Sequence, residues 1–200
     1  FWDKGGDLLL RAFAQLRARH RNVKLVIKDY ATGGGRSTEI MLASLQRDFP
    51  LLIANDVIGS IILISNDVTH EQARFLYGAC DVYVSPHRAS GSDLRVMEAL
   101  ACGTAVLSTT GDALDEPFWV ERIGIPSSPI VSGAPSGCVE PHYSFLAEQV
   151  EELWQDKLKN SYRGPLLRSE FTSKNTWRCS TEGLLAVLFP VECSESGAGI

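Results

Sequence analysis

The chain has 200 residues, of which 44% are hydrophobic and 22% charged, the composition of one globular domain or of one domain with an extension. Its formal net charge of −5 excludes an overall basic field of the kind that attracts nucleic acid. No stretch approaches the roughly 20 unbroken apolar residues of a membrane span, and no charged segment followed by an apolar core opens the chain, so we expect neither a membrane span nor a signal peptide.

Apolar spacing and turn residues predict alternating helices and strands. Leu8, Ala12 and Leu16 recur at helical spacing, Thr69 is a suitable N-cap, and Gly103 is a suitable C-terminal stop. Because Phe1 is not an initiator methionine and no strand precedes the first helix, we expect a piece of a longer protein, or a chain that partners a separate one. The predicted elements are helix 6–19, strand 23–27, helix 38–49, strand 61–64, helix 69–78, strand 81–84, helix 94–102 and strand 105–108.

The predicted strands are continuous apolar runs separated by helices, which indicates a parallel sheet covered on both faces. We therefore predict an α/β fold with a Rossmann-like, doubly wound parallel sheet, forming a single domain over residues 1–190. Prolines and glycines break the pattern over 109–141, where we expect loops with one or two short strands. Helices are predicted at 143–158 and 176–189, and the small polar residues of 191–200 predict a disordered tail.

The cysteines indicate the redox compartment. They are five in number, far apart and without Cys-x-x-Cys spacing, and the four histidines lack metal-ligand spacing too. This favours free buried thiols in a reducing compartment, the cytoplasm, over disulfides or zinc. We expect no metal and no other cofactor. The cysteines are Cys80, Cys102, Cys138, Cys179 and Cys193.

Open parallel sheets bind ligands at the carboxyl ends of their strands, and two such ends are the 65–68 turn and the 86–94 loop. If Asp93 and Leu94 form the first turn of a helix, their free N–H groups can meet a phosphate, although an ordinary strand-to-helix connection fits equally well. Lys4 precedes the first helix and is either a second phosphate ligand or a solvated lysine. The run 33–35 is three glycines without phosphate-loop spacing, which favours a flexible linker.

Glu98 is the sole charged residue between 96 and 106, on a predicted helix that is otherwise apolar. A buried carboxylate needs a partner, either the diol of a ribose or a salt bridge to Arg95 one turn earlier. His87 and Arg88 follow a strand end, and they either face the cleft or lie on the surface. No nucleophile motif and no second carboxylate suited to glycoside hydrolysis accompany Glu98, so no catalytic residue is predicted.

Three segments stand out by their order and spacing. Lys4 and Gly5 precede the first helix, residues 76–82 read Leu-Tyr-Gly-Ala-Cys-Asp-Val, and residues 98–106 read Glu-Ala-Leu-Ala-Cys-Gly-Thr-Ala-Val after a Ser-Pro strand end. Together they resemble the C-terminal, donor-binding domain of retaining glycosyltransferases with the GT-B fold, the large group 1 class. The resemblance covers roughly residues 4–189.

The resemblance implies a function and a set of site residues. The chain would bind a nucleotide-diphosphate sugar and, joined to an acceptor-binding domain in the same or another chain, transfer the sugar to an acceptor with retention. No metal is implied, because the family relies on helix dipoles and basic side chains. In this reading Lys4 holds the diphosphate, the backbone N–H groups of 91–94 meet the phosphate or sugar, Glu98 holds the ribose, and Asp67 and Val68 lie near the base. The loop residues are Gly91, Ser92, Asp93 and Leu94.

The chain departs from the family pattern in the loop before the predicted helix 94–102. The family carries a first glutamate eight positions before the ribose glutamate, and that position is Ser90 here. A loop glycine is replaced by Asp93, which places a carboxylate near the diphosphate. These departures leave open an alternative of a different class, a non-catalytic nucleotide-sugar-binding or interaction module derived from a glycosyltransferase.

Overall fold

A computed structural model describes residues 3–29, 37–50, 55–89, 94–109, 123–130 and 138–155, with 168–169, 172–173, 176, 178 and 181. The elements in chain order are α1 (Gly6–Arg19), β1 (Leu25–Lys28), α2 (Ser37–Asp48), α3 (Asn55–Ile58), β2 (Ile61–Ile64), α4 (His70–Ala79), β3 (Val82–Ser85), α5 (Leu94–Ala101), β4 (Ala105–Thr109), β5 (Ile123–Ile125), β6 (Ser127–Pro129), β7 (Val139–Pro141) and α6 (Tyr143–Gln155).

The elements predicted up to residue 109 are all present, with ends within two residues of the predicted ones. The short helix α3 was not predicted. The described part of the region 109–141 contains three short strands where one or two were expected, because strands of three residues are too short to show a periodicity. The predictions for 33–35, 156–158 and 191–200 lie outside the described residues, as does nearly all of 176–189.

The strand pairing is parallel where it was predicted to be. β1 pairs with β2, and β3, β4 and β5 form a parallel set in that order. β6 and β7 form a separate antiparallel pair, with prolines in both strands, as is typical of edge strands.

Strand β4 demonstrates that helices cover both faces of this parallel set. Val106 packs in one apolar cluster with Val96 and Leu100 of α5, whereas its neighbour Leu107 packs in another with α1 and α6. Successive side chains of a strand point to opposite faces, so α5 lies on one face and α1 and α6 on the other. The doubly wound, Rossmann-like arrangement is therefore confirmed.

Helix α1 connects the two parallel groups of strands. Leu8 and Ala12 pack toward β4, β5 and α6, whereas Leu10 and Phe13 pack with α2, α3 and the β1–β2 pair. Burying a leucine or phenylalanine stabilises a fold by roughly 1.5–3 kcal/mol, so the apolar faces of α1 hold the domain together. The amino end of this helix consequently has a fixed position relative to the strand ends.

The start of α4 and the end of α5 have the causes that were predicted, a cap at Thr69 and a stop at Gly103. The Thr69 hydroxyl accepts from the Gln72 N–H, and the Gln72 side chain accepts from the Thr69 N–H, which is a capping box. After α5, Gly103 has a φ of 80°, and the N–H groups of Gly103 and Thr104 donate to the carbonyls of Leu100 and Ala99. This Schellman arrangement turns the chain directly into β4.

Candidate functional site

The turn that carries Lys4 is packed against the carboxyl end of β3. The carbonyl of Asp3 accepts from the N–H groups of Arg88 and Ala89, at 2.7 and 3.2 Å. Gly5 has a φ of 64°, and a Cβ built on it would lie 1.8 Å from the Pro86 carbonyl oxygen, so only glycine fits there. Lys4 itself is exposed. The structure therefore brings Lys4 beside the strand end that leads into residues 90–93.

Arg88 is buried, so the expectation that it lies on the surface was wrong. Its side chain is 4% exposed and donates to both oxygens of Asp7, at 2.7 and 2.9 Å, and to both oxygens of Glu140, at 2.7 and 3.0 Å. Sequence reasoning missed this cluster, because its members are separated by 81 and 52 positions along the chain.

The cluster favours the charged forms of Asp7 and Arg88. Burial disfavours the charged form of Asp7, but the hydrogen bonds and charge of Arg88 outweigh it and hold the Asp7 pKa below its usual value. Burial likewise opposes the charge of Arg88, and the two carboxylates more than compensate and raise its pKa. The guanidinium is thus held by these two carboxylates, whereas Lys4 is exposed.

Leu94 is the first residue of α5, as predicted, and its side chain is 63% exposed. The first N–H groups of a helix have no partner inside the helix, and the amino end of α5 carries the positive end of its dipole. Ser90, Gly91, Ser92 and Asp93 lie outside the described residues, so their predicted contacts with a phosphate or sugar stay predictions.

Glu98 lies one turn into α5 and is half-buried, beside a face formed by Val96, Ala99 and Leu100. Its Oε2 accepts a hydrogen bond of 2.9 Å from the hydroxyl of Tyr77 on α4. Sequence reasoning considered a ribose or Arg95 as the partner and missed Tyr77. A half-buried tyrosine hydroxyl usually finds a hydrogen-bond partner, which was the available signal.

Tyr77 is itself held in place from two sides. Its ring meets the ring of Tyr83 edge to face, with centroids 5.7 Å apart, and its carbonyl accepts from the Thr104 hydroxyl at 2.7 Å. Burial and the hydrogen bond to the Glu98 carboxylate raise the Tyr77 pKa far above its usual value. Tyr77 therefore remains a neutral donor, and it fixes one oxygen of Glu98.

Asp67 and Val68 follow the carboxyl end of β2, as predicted, with Asp67 exposed and Val68 half-buried. Helix α4 begins two residues after Val68 and carries Tyr77 to Glu98. The turn after β2 is thus linked to α5 through α4. A role of Asp67 and Val68 near a base stays a prediction.

The carboxyl ends of β3 and β4 carry buried polar side chains. Ser85 and Ser108 are paired across the two strands, and the Ser85 hydroxyl lies 3.3 Å from Nδ1 of the fully buried His87. The hydroxyls of Ser108 and Thr109 are buried and have no hydrogen-bond partner among the described residues. Buried polar groups of this kind concentrate where ligands or ordered waters bind in α/β folds.

Cys80, Cys102 and Cys138 are free thiols, of which Cys138 is buried and the others are half-buried. Within the described ranges, no three His, Cys, Asp or Glu side chains are grouped as metal ligands. Nor does any helix in those ranges have the length and apolar character needed to cross a bilayer.

Comparison with known proteins identifies what the chain is similar to. The family described as "Glycosyl transferases group 1" matches residues 1–118. The lipopolysaccharide 1,2-N-acetylglucosaminetransferase of Salmonella typhimurium is 31% identical over 117 residues, covering 57% of this chain and 29% of that protein. The D-inositol 3-phosphate glycosyltransferase of Segniliparus rotundus is 25% identical over 191 residues, covering 92% of this chain and 36% of that protein.

The fold is also similar to that of a solved sucrose-phosphate synthase from Thermosynechococcus elongatus. The TM-score is 0.68 at 18% identity, over 94% of this chain and 43% of that one. The chain thus spans about a third of the length of the curated relatives, and less than half of the solved structure.

Proposed function

Because this chain belongs to the group 1 glycosyltransferases, we propose that residues 1–190 form the half of a GT-B enzyme that binds the nucleotide-diphosphate sugar. The intact protein then transfers the sugar to an acceptor with retention, once this half is joined to an acceptor-binding domain in the same or another chain. The free thiols support a cytoplasmic location, and no metal or other cofactor is part of the proposal.

One observation carries this proposal: Glu98 lies one turn from the amino end of α5, with one carboxylate oxygen fixed by Tyr77. A carboxylate held in this way accepts hydrogen bonds from a vicinal diol at low entropic cost, and a ribose presents such a diol. The diphosphate attached to that ribose then extends toward the amino end of α5, where free N–H groups and the helix dipole favour anions.

Lys4 supports the same assignment from the opposite wall. Its turn contacts the end of β3, so its ammonium is available to the same diphosphate as a point charge. Asp67 and Val68 are assigned to the base and Gly91, Ser92, Asp93 and Leu94 to the phosphate or sugar.

Isothermal titration with UDP-, GDP- and ADP-sugars tests the proposal. One of these donors is expected to bind, and Glu98→Ala is expected to abolish binding while the far-UV circular dichroism stays that of the wild type. If none of the three nucleotides gives a heat of binding, the donor-site assignment is wrong. If Glu98→Ala binds as tightly as the wild type, the ribose assignment is wrong.

A second candidate, a binding or interaction module without catalysis, is favoured by Ser90 and Asp93. Ser90 replaces a carboxylate whose hydrogen bonds to sugar hydroxyls are worth roughly 1.5–3 kcal/mol. Nucleotide binding without turnover, in the presence of the acceptor-binding domain, would favour this candidate. Ser90→Glu is expected to strengthen sugar-dependent affinity if the site is an otherwise intact donor site.

A further inference from the structure

Arg88 is a buried charge that the proposed function does not use. With the described residues its guanidinium makes four hydrogen bonds, two to Asp7 in the first turn of α1 and two to Glu140 in β7. Both carboxylates are engaged through both oxygens, a fork geometry that a lysine cannot reproduce. We refer to these three side chains as the Arg88 clamp.

The backbone of Arg88 connects the same segments. Its N–H donates to the Asp3 carbonyl at 2.7 Å, and its carbonyl accepts from the Val139 N–H at 2.8 Å. The end of β3 is therefore joined to the start of α1 and to β7 by main chain and side chain alike.

Two members of the Arg88 clamp lie within three residues of predicted site residues. Asp7 follows Lys4 by three residues, and Arg88 precedes Ser90 by two. The clamp thus joins the turn that carries the lysine to the segment that enters the 90–93 loop. We propose that Arg88 is a positioning residue, which holds the turn of Lys4 against the end of β3, where the lysine engages the diphosphate.

This inference rests on the proposed function, and stability alone does not account for the clamp. A buried ion pair contributes little to stability compared with apolar side chains of the same volume, because its groups must be desolvated. Where such a pair is present, its geometry restricts how the joined segments lie relative to each other. A variant that displaces Lys4 is therefore expected to raise the Kd of the nucleotide, whereas a variant that only lowers the free energy of unfolding leaves that Kd unchanged.

Helix α1 supplies a matched control at its other end. Glu151 of α6 contacts Arg19 at 3.3 Å and His20 at 2.5 Å, and so joins the carboxyl end of α1 to α6. Glu151→Gln weakens an ionic contact of the same helix, about 20 Å from the clamp given the helical rise of 1.5 Å per residue. It perturbs the packing of α1 but not the position of Lys4.

The experiment titrates UDP, GDP and ADP into the 200-residue chain, its Lys4→Ala, Asp7→Asn and Glu151→Gln variants, and the Lys4→Ala/Asp7→Asn double variant. Asp7→Asn is expected to raise the Kd of the bound nucleotide about tenfold, and Glu151→Gln less than about twofold. In the Lys4→Ala background, Asp7→Asn is expected to change the Kd by less than about twofold, because the lysine that the clamp positions is gone.

The inference is overturned if Asp7→Asn binds like the wild type, if Glu151→Gln weakens binding equally, or if Asp7→Asn has its full effect without Lys4. If Asp7→Asn does not fold, Glu140→Gln takes its place, because that carboxylate is 46% exposed and its removal is milder. The outcomes stated for Asp7→Asn then apply to Glu140→Gln. A wild-type chain that binds none of the three nucleotides overturns the proposed function, and the positioning role with it.

Discussion

The hydroxyl of Tyr77 offers the sharpest test of the proposal that Glu98 binds the ribose. Tyr77→Phe removes one atom, the donor 2.9 Å from Glu98 Oε2, and leaves the ring against Tyr83. The packing between α4 and α5 is therefore retained. What changes is that the Glu98 side chain is no longer restrained.

The expected change in the nucleotide Kd follows from the restraint that the Tyr77 hydroxyl places on Glu98. Ordering a flexible side chain on binding costs roughly 0.5–1.5 kcal/mol, a cost that the Tyr77 hydroxyl removes before the ligand arrives. Tyr77→Phe is thus expected to raise the nucleotide Kd by about two- to tenfold. Losing a hydrogen bond to a charged group also costs roughly 1.5–3 kcal/mol of stability, or about 3–12 °C in Tm.

The assay is isothermal titration of the nucleotide that binds the wild type, with thermal unfolding measured on the same samples. Tyr143→Phe is the matched control, because it deletes the hydroxyl of another half-buried tyrosine. Tyr143 lies on α6, on the opposite face of β4. Its Kd is expected to equal that of the wild type. The reasoning is refuted if Tyr77→Phe leaves the Kd unchanged, or lowers it, since tighter binding would mean that the hydroxyl competes with the ribose.

Two further predictions concern the turn before α1 and the Arg88 clamp. Gly5→Ala is expected to destabilise the chain by about 2 kcal/mol or more, because its φ is 64° and its Cβ would meet the Pro86 carbonyl. At Gly78 an added Cβ would meet no described atom within 4 Å beyond its neighbours and its own helix backbone. Gly78→Ala should therefore stabilise α4 by about 0.5–1 kcal/mol; urea unfolding of both variants compares them. Because the Asp7 pKa is lowered in the fold, its contribution to stability is complete above the ordinary value of 3.8 and is lost as the pH falls below it. Thermal unfolding between pH 2 and 6 should show this loss in the wild type and a flatter profile in Asp7→Asn, and identical profiles would contradict the assignment.

Much of the fold and part of the site could be predicted from local signals. The capping box at Thr69, the glycine stop at Gly103 and the apolar runs of the strands all act within a few residues, so the sequence determines them directly. The alternation of these elements then limits the fold to a doubly wound α/β sheet, with ligands at the carboxyl ends of its strands. By the same argument Leu94 was correctly predicted at the amino end of a helix.

The partners of the charged groups were decided by the tertiary structure alone. Tyr77 precedes Glu98 by 21 positions, and Arg88 meets carboxylates 81 and 52 positions away, so no local pattern connects them. A strand end exposes a side chain to whichever elements the fold packs beside it, and here those are α1 and β7. The sequence determined which residues carry charge and where the sheet presents them. Packing decided which charges are neutralised within the protein, because burial disfavours each unpaired charge far more strongly than any local preference.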